Sequence, residues 1–158
     1  ANITGLEAVL GTKLPISAGL VASGDLTYTL TRARFASSFV SGFAQWGDVE
    51  EGDILPYVPE HQASLKLGIE SGSAGLSVSA TFVDEMRDVA GQDATTDAEM
   101  VSAHTVIDAA AFYRPSRSGR IYLTVDNLLA TEYMVSRRPF GARPGKPFHL
   151  NLGYAHTF

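Results

Sequence analysis

Hydrophobic and polar residues alternate along most of this chain with a period of two, the spacing that sends successive side chains to opposite faces of a β-strand. Near the C-terminus Phe148, Leu150, Leu152, Tyr154, His156 and Phe158 share one face, while His149, Asn151, Gly153, Ala155 and Thr157 share the other. The same split sets Leu76, Val78, Ala80 and Phe82 against Ser77, Ser79 and Thr81, and Ala63, Leu65, Leu67 and Ile69 against Ser64, Lys66, Gly68 and Glu70. It returns in Ile107, Ala109, Ala111 and Tyr113, in Ile121, Leu123 and Val125, in Leu6, Ala8 and Leu10, and in Leu26, Tyr28 and Leu30. Seven strands are predicted, near 4–14, 17–36, 62–71, 74–88, 102–115, 119–135 and 147–158.

The connections alternate in length. Short turns are expected at Pro15-Ile16-Ser17, Ser71-Gly72-Ser73 and Pro115-Ser116-Arg117-Ser118, all built from turn-forming residues. Long loops are expected near 37–61, 89–101 and 136–146. Long strands joined by alternating short turns and long loops are the pattern of an outer-membrane barrel. The polar face, rich in Ser, Thr and Gly with sparse charge, suits a barrel lumen, and the apolar face suits lipid. Tyr28, Tyr113, Tyr133 and Phe158 then fall at the interfacial girdles.

Composition narrows the choice further. A length of 158 residues corresponds to one domain, and 45% hydrophobic with 18% charged residues is too apolar for a disordered chain. No stretch reaches the roughly 20 apolar residues of a membrane helix. A net charge of −5 argues against a nucleic-acid partner, and the absence of cysteine excludes disulfides and thiolate metal sites. Ala1 reads as the start of a processed product or of a piece of a longer polypeptide.

Three stretches, in order, resemble the C-terminal end of the TonB-dependent outer-membrane receptors. Leu55-Pro56-Tyr57-Val58-Pro59-Glu60-His61-Gln62 is similar to the passage that precedes a late barrel strand. Val125-Asp126-Asn127-Leu128-Leu129-Ala130-Thr131-Glu132-Tyr133 is similar to a second motif, although Leu129 and Ala130 stand where an aromatic and an acid are usual. Arg138-Pro139-Phe140-Gly141-Ala142-Arg143-Pro144-Gly145-Lys146-Pro147 leads into the last strand. The resemblance implies an all-β, antiparallel transmembrane barrel section, with about seven strands of a barrel of about 22. Residues 1–158 are then the C-terminal section, without plug domain or TonB box. The implied function is that of a receptor and transporter for a ferric siderophore in the bacterial outer membrane, with ferric-citrate-like receptors as the subfamily. It would be a receptor and not an enzyme, with the ferric chelate as cargo and no cofactor. Implied partners are the remainder of the receptor with its plug, the TonB complex acting through that plug, the barrel-assembly machinery, and outer-membrane lipid and lipopolysaccharide. Asn151, Gly153, His156 and Phe158 resemble the terminal strand that the assembly machinery reads, with His156 where a hydrophobic residue is preferred.

Candidate chemistry concentrates in the last long loop. Arg137, Arg138, Arg143 and Lys146 place four cations within ten residues, and guanidinium forks suit carboxylate or phosphate groups. They are candidate ligands for an anionic chelate; lipopolysaccharide phosphates and neighbouring acidic loops are the competing partners. The other two loops are acidic, with Asp48, Glu50, Glu51, Asp53 and Glu60 in one and Asp84, Glu85, Asp88, Asp93, Asp97 and Glu99 in the next. They lack the ligand spacing of a calcium loop and read as solvated surface. Trp46 with Phe39 and Phe43 forms a loop cluster or an aromatic contact for cargo. His104 and Asp108 share a face but stand about 13 Å apart along a strand, too far for one metal. Two other architectures fit the periodicity: a self-contained small barrel with a structural or adhesive role, if Phe39-Val40-Ser41-Gly42-Phe43 adds a strand, and a soluble β-sandwich binding module.

Overall fold

The computed structural model describes residues 1–43, 46–138 and 140–157. In chain order the elements are β1 (Asn2–Ser17), β2 (Leu20–Arg34), β3 (Phe39–Val40), β4 (Asp48–Val49), β5 (His61–Ser71), β6 (Ala74–Val83) and β7 (Met86–Arg87). A single 3-10 turn at Asp97–Glu99 follows, then β8 (Met100–Val101), β9 (His104–Tyr113), β10 (Gly119–Asp126), β11 (Met134–Ser136), β12 (Arg143–Pro144) and β13 (His149–His156). The seven long strands form one sheet in the order β1-β2-β5-β6-β9-β10-β13, every neighbour antiparallel. The six short strands pair off as β3 with β4, β7 with β8 and β11 with β12, one ribbon in each long loop.

Register turns the period of two into two continuous surfaces. Leu14, Ala22, Ile69, Leu76, Ala111, Leu123 and Leu152 lie opposite one another across all seven strands. On the other face, Lys13, Ser23, Gly68, Ser77, Ala110, Thr124 and Asn151 form an equally unbroken row. A one-residue slip at any pair would exchange the faces of a whole strand, so six matched registers are a strong specification.

No second sheet covers the apolar row among the described residues, and Leu6, Leu10 and Leu152 remain 58%, 69% and 72% exposed. This overturns the sandwich, whose apolar faces must meet each other. The small-barrel alternative also loses its extra strand, because among the described residues Phe39–Val40 pairs only with Asp48–Val49, inside a loop. The buried apolar residues Ala33, Phe35, Val49 and Val101 lie at the loop end, so the packed core is in the loops and not behind the sheet. Among the described residues no helix is long and apolar enough to cross a membrane.

Three boundaries differ from the sequence reading. β1 runs through Pro15 to Ser17 and the chain reverses at Ala18-Gly19, where Gly19 has a φ of 81°. A register irregularity between Pro15 and Ser17 accommodates the proline, which a regular ladder would reject. β6 ends at Val83, and Met86–Arg87 instead pairs with Met100–Val101. β10 ends at Asp126, because Asn127 adopts a φ of 49° and turns the chain out of the sheet.

Candidate functional site

The three long loops leave the sheet at one end and are cross-linked there by a few side chains. Tyr57, between Pro56 and Pro59, takes a φ of 60°, and its N–H donates to the Arg87 carbonyl at 2.9 Å. Its hydroxyl accepts the backbone N–H groups of Arg137 at 3.2 Å and Arg138 at 2.9 Å. One residue of the first loop therefore holds both others. Arg137 Nε donates to the Met100 carbonyl at 2.7 Å, and Arg138 Nε meets Asp88 Oδ2 at 3.0 Å.

Asp88 is 1% exposed, its N–H donates to the Glu99 carbonyl, and its Oδ1 has no hydrogen-bond partner among the described residues. A buried carboxylate is tolerated when a cation faces it, and Arg138 is that cation. Asp53 is buried as well; its Oδ2 accepts the Glu50 N–H at 2.9 Å and its Oδ1 accepts Gln92 Nε2 at 3.2 Å. The expectation of solvated acidic loops is corrected at these two positions. Their carboxylates are internal acceptors for loop backbone and side chains. Aperiodic loop sequence gives no sign of which acids turn inward.

Of the four candidate cations, Arg137 and Arg138 thus carry cross-links between loops. Lys146 donates through Nζ to Asp126 Oδ2, and His149 Nδ1 lies 3.5 Å from the same oxygen. Arg143, on β12, is exposed and makes no side-chain hydrogen bond or ion pair among the described residues. Gly145 beside it passes beneath Tyr133, where a Cβ would collide with the ring.

Below the loops, the lumen-type face carries a polar cluster at the mouth of a cavity of about 330 Å³ lined in part by His104, Asp108, Asp126, Tyr133 and Lys146. His104 stacks on Tyr133 with centroids 4.5 Å apart, whereas Asp108 Oδ1 accepts the Asn127 N–H at 2.8 Å, so the two are engaged separately. Asn127 is 1% exposed and locks the loop base: its Nδ2 donates to the Thr131 and Lys146 carbonyls at 2.9 Å each, and its Oδ1 accepts the Thr131 N–H at 2.8 Å. Sequence reading placed Asn127 in a motif without this role; its isolation between an apolar strand and a loop is the signal that marks it.

The first loop ends in an aromatic cluster. Trp46 lies edge-on to Phe35, Phe39 and Phe43, with centroids 5.7, 6.0 and 5.6 Å away. Phe35 anchors it from the buried side, while Trp46 and Phe43 stay 41% and 52% exposed. On β13, Asn151 Nδ2 reaches Thr124 Oγ1 and His149 Nδ1, and Gly153 makes room for the Tyr122 ring. His156 stacks on Tyr154 across the other face, and its Nδ1 lies 3.1 Å from the tyrosine hydroxyl. Phe158 lies outside the described residues.

Comparison with known proteins gives these features a context. A family model described as TonB dependent receptor-like, beta-barrel matches residues 1–128. No curated protein matches the chain. Among solved structures, the siderophore receptor PiuA from Acinetobacter baumannii superposes with a TM-score of 0.69 at 19% identity, covering 98% of this chain and 21% of PiuA. The copper transporter OprC gives 0.65 at 15% identity, with 99% and 23% covered. The ferric-catecholate import receptor Fiu from E. coli K12 gives 0.56 at 19% identity, with 98% and 28% covered. The chain therefore spans about a quarter of the length of these proteins.

Proposed function

The chain belongs to the TonB-dependent receptor β-barrel family, and from that premise we propose that it forms the C-terminal wall section of an outer-membrane receptor that imports a ferric siderophore. The observation that carries the reading is the pairing of two unbroken seven-strand surfaces, one apolar and one polar, with three long loops bound into one layer at a single end. Such a section has one face for lipid, one for a polar lumen, and a shaped rim above the lumen. PiuA and Fiu, which share the fold, carry siderophore and ferric-catecholate receptor names. OprC shares it too and is named for copper, so cargo choice belongs to the rim and not to the wall.

At the rim, exposed aromatic rings at Trp46 and Phe43 and the guanidinium of Arg143, unpaired among the described residues, are suited to a flat, anionic chelate. The terminal nitrogens of Arg137 and Arg138 and the ammonium of Lys146 add positive potential while their other bonds hold the loops. Capture requires no covalent chemistry from these side chains. In this reading a plug in the remainder of the receptor is rearranged through the TonB complex to pass the cargo inward. Asn151, Gly153 and His156 of the last strand, with Phe158 after them in sequence, are read by the barrel-assembly machinery; deletion of Phe158 is expected to lower the amount of receptor at the cell surface.

The cargo assignment is tested by radio-iron uptake in cells whose only receptor is this one, supplied with citrate, catecholate or hydroxamate chelates in turn. One ferric chelate should be taken up in an energy-dependent manner, and Arg143→Ala should raise its half-saturation concentration by about tenfold, the cost of one charge-assisted contact. Uptake of none of the three chelates would remove the siderophore reading, and an unchanged half-saturation would remove Arg143 from the site.

A further inference from the structure

Arg137 and Arg138 enter the loop layer in the same manner. Their backbone N–H groups converge on one acceptor, the Tyr57 hydroxyl, at 3.2 and 2.9 Å. Their Nε atoms are then taken by two points on the second loop, the Met100 carbonyl at 2.7 Å for Arg137 and Asp88 Oδ2 at 3.0 Å for Arg138. Arg87 pairs with Met100, and the Asp88 N–H continues that ladder onto the Glu99 carbonyl at 2.9 Å. Both acceptors therefore belong to one ribbon end, that of β7 and β8.

The contact between Arg138 and Asp88 is half of what the two groups can form. A guanidinium carries five N–H donors in a flat fork, one on Nε and four on the terminal nitrogens, and side by side with a carboxylate it makes two parallel bonds. Here one is made. Asp88 Oδ1 stays without a partner among the described residues although Asp88 is 1% exposed, and an unsatisfied buried oxygen is costly. The terminal nitrogens of Arg138 have no acceptor among the described residues either, and its side chain is 39% exposed. A cross-link built only for strength would close the second bond and satisfy Oδ1. This one pins the fork at Nε and leaves the edge between the terminal nitrogens, which can take two oxygens at once, unfilled.

We propose that Asp88 is a positioning residue for cargo capture: by holding Arg138 at Nε, it presents the terminal nitrogens to a pair of oxygens on an anionic ferric chelate. Citrate carboxylates and catecholate oxygens both offer such a pair. The proposal rests on the reading of the chain as part of a siderophore receptor. Asp88 touches no cargo and acts through Arg138. It comes from the second loop, which supplies none of the four candidate cations, so that loop takes part in capture without contacting the chelate. The charge of Asp88 opposes an anion while its hydrogen bond orients the fork, and the two effects separate by substitution.

Equilibrium binding to the full receptor in detergent tests the assignment, with ferric citrate, a ferric tris-catecholate and an uncharged ferric trihydroxamate as probes and tryptophan quenching as the signal. Arg138→Lys keeps one cation for Asp88 but has no second edge, and should bind the anionic chelate that wild type prefers about tenfold more weakly. Asp88→Ala should lose a similar factor, because the fork is no longer held. Asp88→Asn keeps an oxygen for Nε and sheds the opposing charge; it should bind at least as tightly as wild type, a recovery that damaged folding cannot mimic. Wild-type affinity in Arg138→Lys, or equal losses in Asp88→Ala and Asp88→Asn, would overturn the proposal and leave the receptor reading intact, since wild type still binds a chelate. Preference of wild type for the uncharged trihydroxamate would overturn it too, because that chelate brings no anion to the fork. Binding of none of the three by wild type would overturn the receptor reading with it.

Discussion

The wall and the loop layer of this protein are specified in opposite ways. In the wall, each row is written seven times, once per strand, and no single residue decides the outcome. In the loops, Tyr57, Asp88, Asn127 and Arg138 each carry several contacts that no other residue duplicates. The wall is therefore robust to a substitution that keeps its pattern, and the loops are fragile at a few points. The fold is shared with PiuA and OprC at only 19% and 15% identity, as a pattern repeated in every strand allows.

The sharpest test of this asymmetry is Asn127→Ala. It removes three side-chain hydrogen bonds from a residue 1% exposed and places alanine at a φ of 49°. Two backbone carbonyls and one N–H would be left to find new partners, and the left-handed conformation would lose its favoured residue. A local loss on the order of 3 kcal/mol is expected. Hydrogen exchange of the receptor in micelles should show Thr131 unprotected, with β5 and β6 amides unchanged. If the wall amides lost protection to the same degree, the two regions would not be independent.

Arg138→Ala comes next. Alone it strands the buried Asp88 carboxylate, at a cost of about 2–3 kcal/mol, at or below the low end for a buried pair because Arg138 is 39% exposed. Adding Asp88→Ala should recover much of that loss, because no unpaired charge remains. A double variant as unstable as the sum of the two singles would show that the pair does not act as a unit.

The difference also explains what could be read from sequence. All seven wall strands were legible because their period is two and each repeats the signal over eight or more residues. Errors fell where one residue overrides the pattern: Pro15 at a register irregularity, Asn127 at its turn, and the Met86–Arg87 ribbon that follows β6 without an obvious break. Of the candidate site, the cations were visible as a charge cluster, but their division into cross-links and a free Arg143 was not. That division depends on Tyr57 and Asp88, which lie 81 and 50 residues from Arg138 in sequence. Loop pairings of this kind have no periodicity from which to be inferred.

A wall substitution supplies the counterweight. Leu76→Val keeps an apolar residue in the seven-strand row and removes one methylene from a side chain already 51% exposed within this sheet. Lipid replaces most of the contacts it would make in a soluble core, so the expected loss is under about 1 kcal/mol. Urea midpoints of the folded receptor check it; a loss matching that of Asn127→Ala would make the wall as fragile as the loops.

The smallest effect concerns the junction of the two regions, where Arg32 at the end of β2 meets Glu60 just before β5. The hydrogen bond from Arg32, aided by its charge, holds the Glu60 carboxyl below the usual carboxylate range despite partial burial. A carboxyl whose folded value is depressed contributes stability that is fully present above its unfolded value and is lost as pH falls through the folded one. With both side chains substantially exposed, solvent screens the pair and the contribution is small. The neighbouring Thr31 N–H, which donates to the Glu60 carbonyl at 2.9 Å, reports it locally. Its protection, corrected for intrinsic exchange, should be flat near neutrality and fall as pH drops below the ordinary glutamate range, while Glu60→Gln stays level throughout. Equal pH dependence in the two proteins would mean that the strand end is held by the backbone ladder alone, and that the wall extends its redundancy one residue further than the ion pair implies.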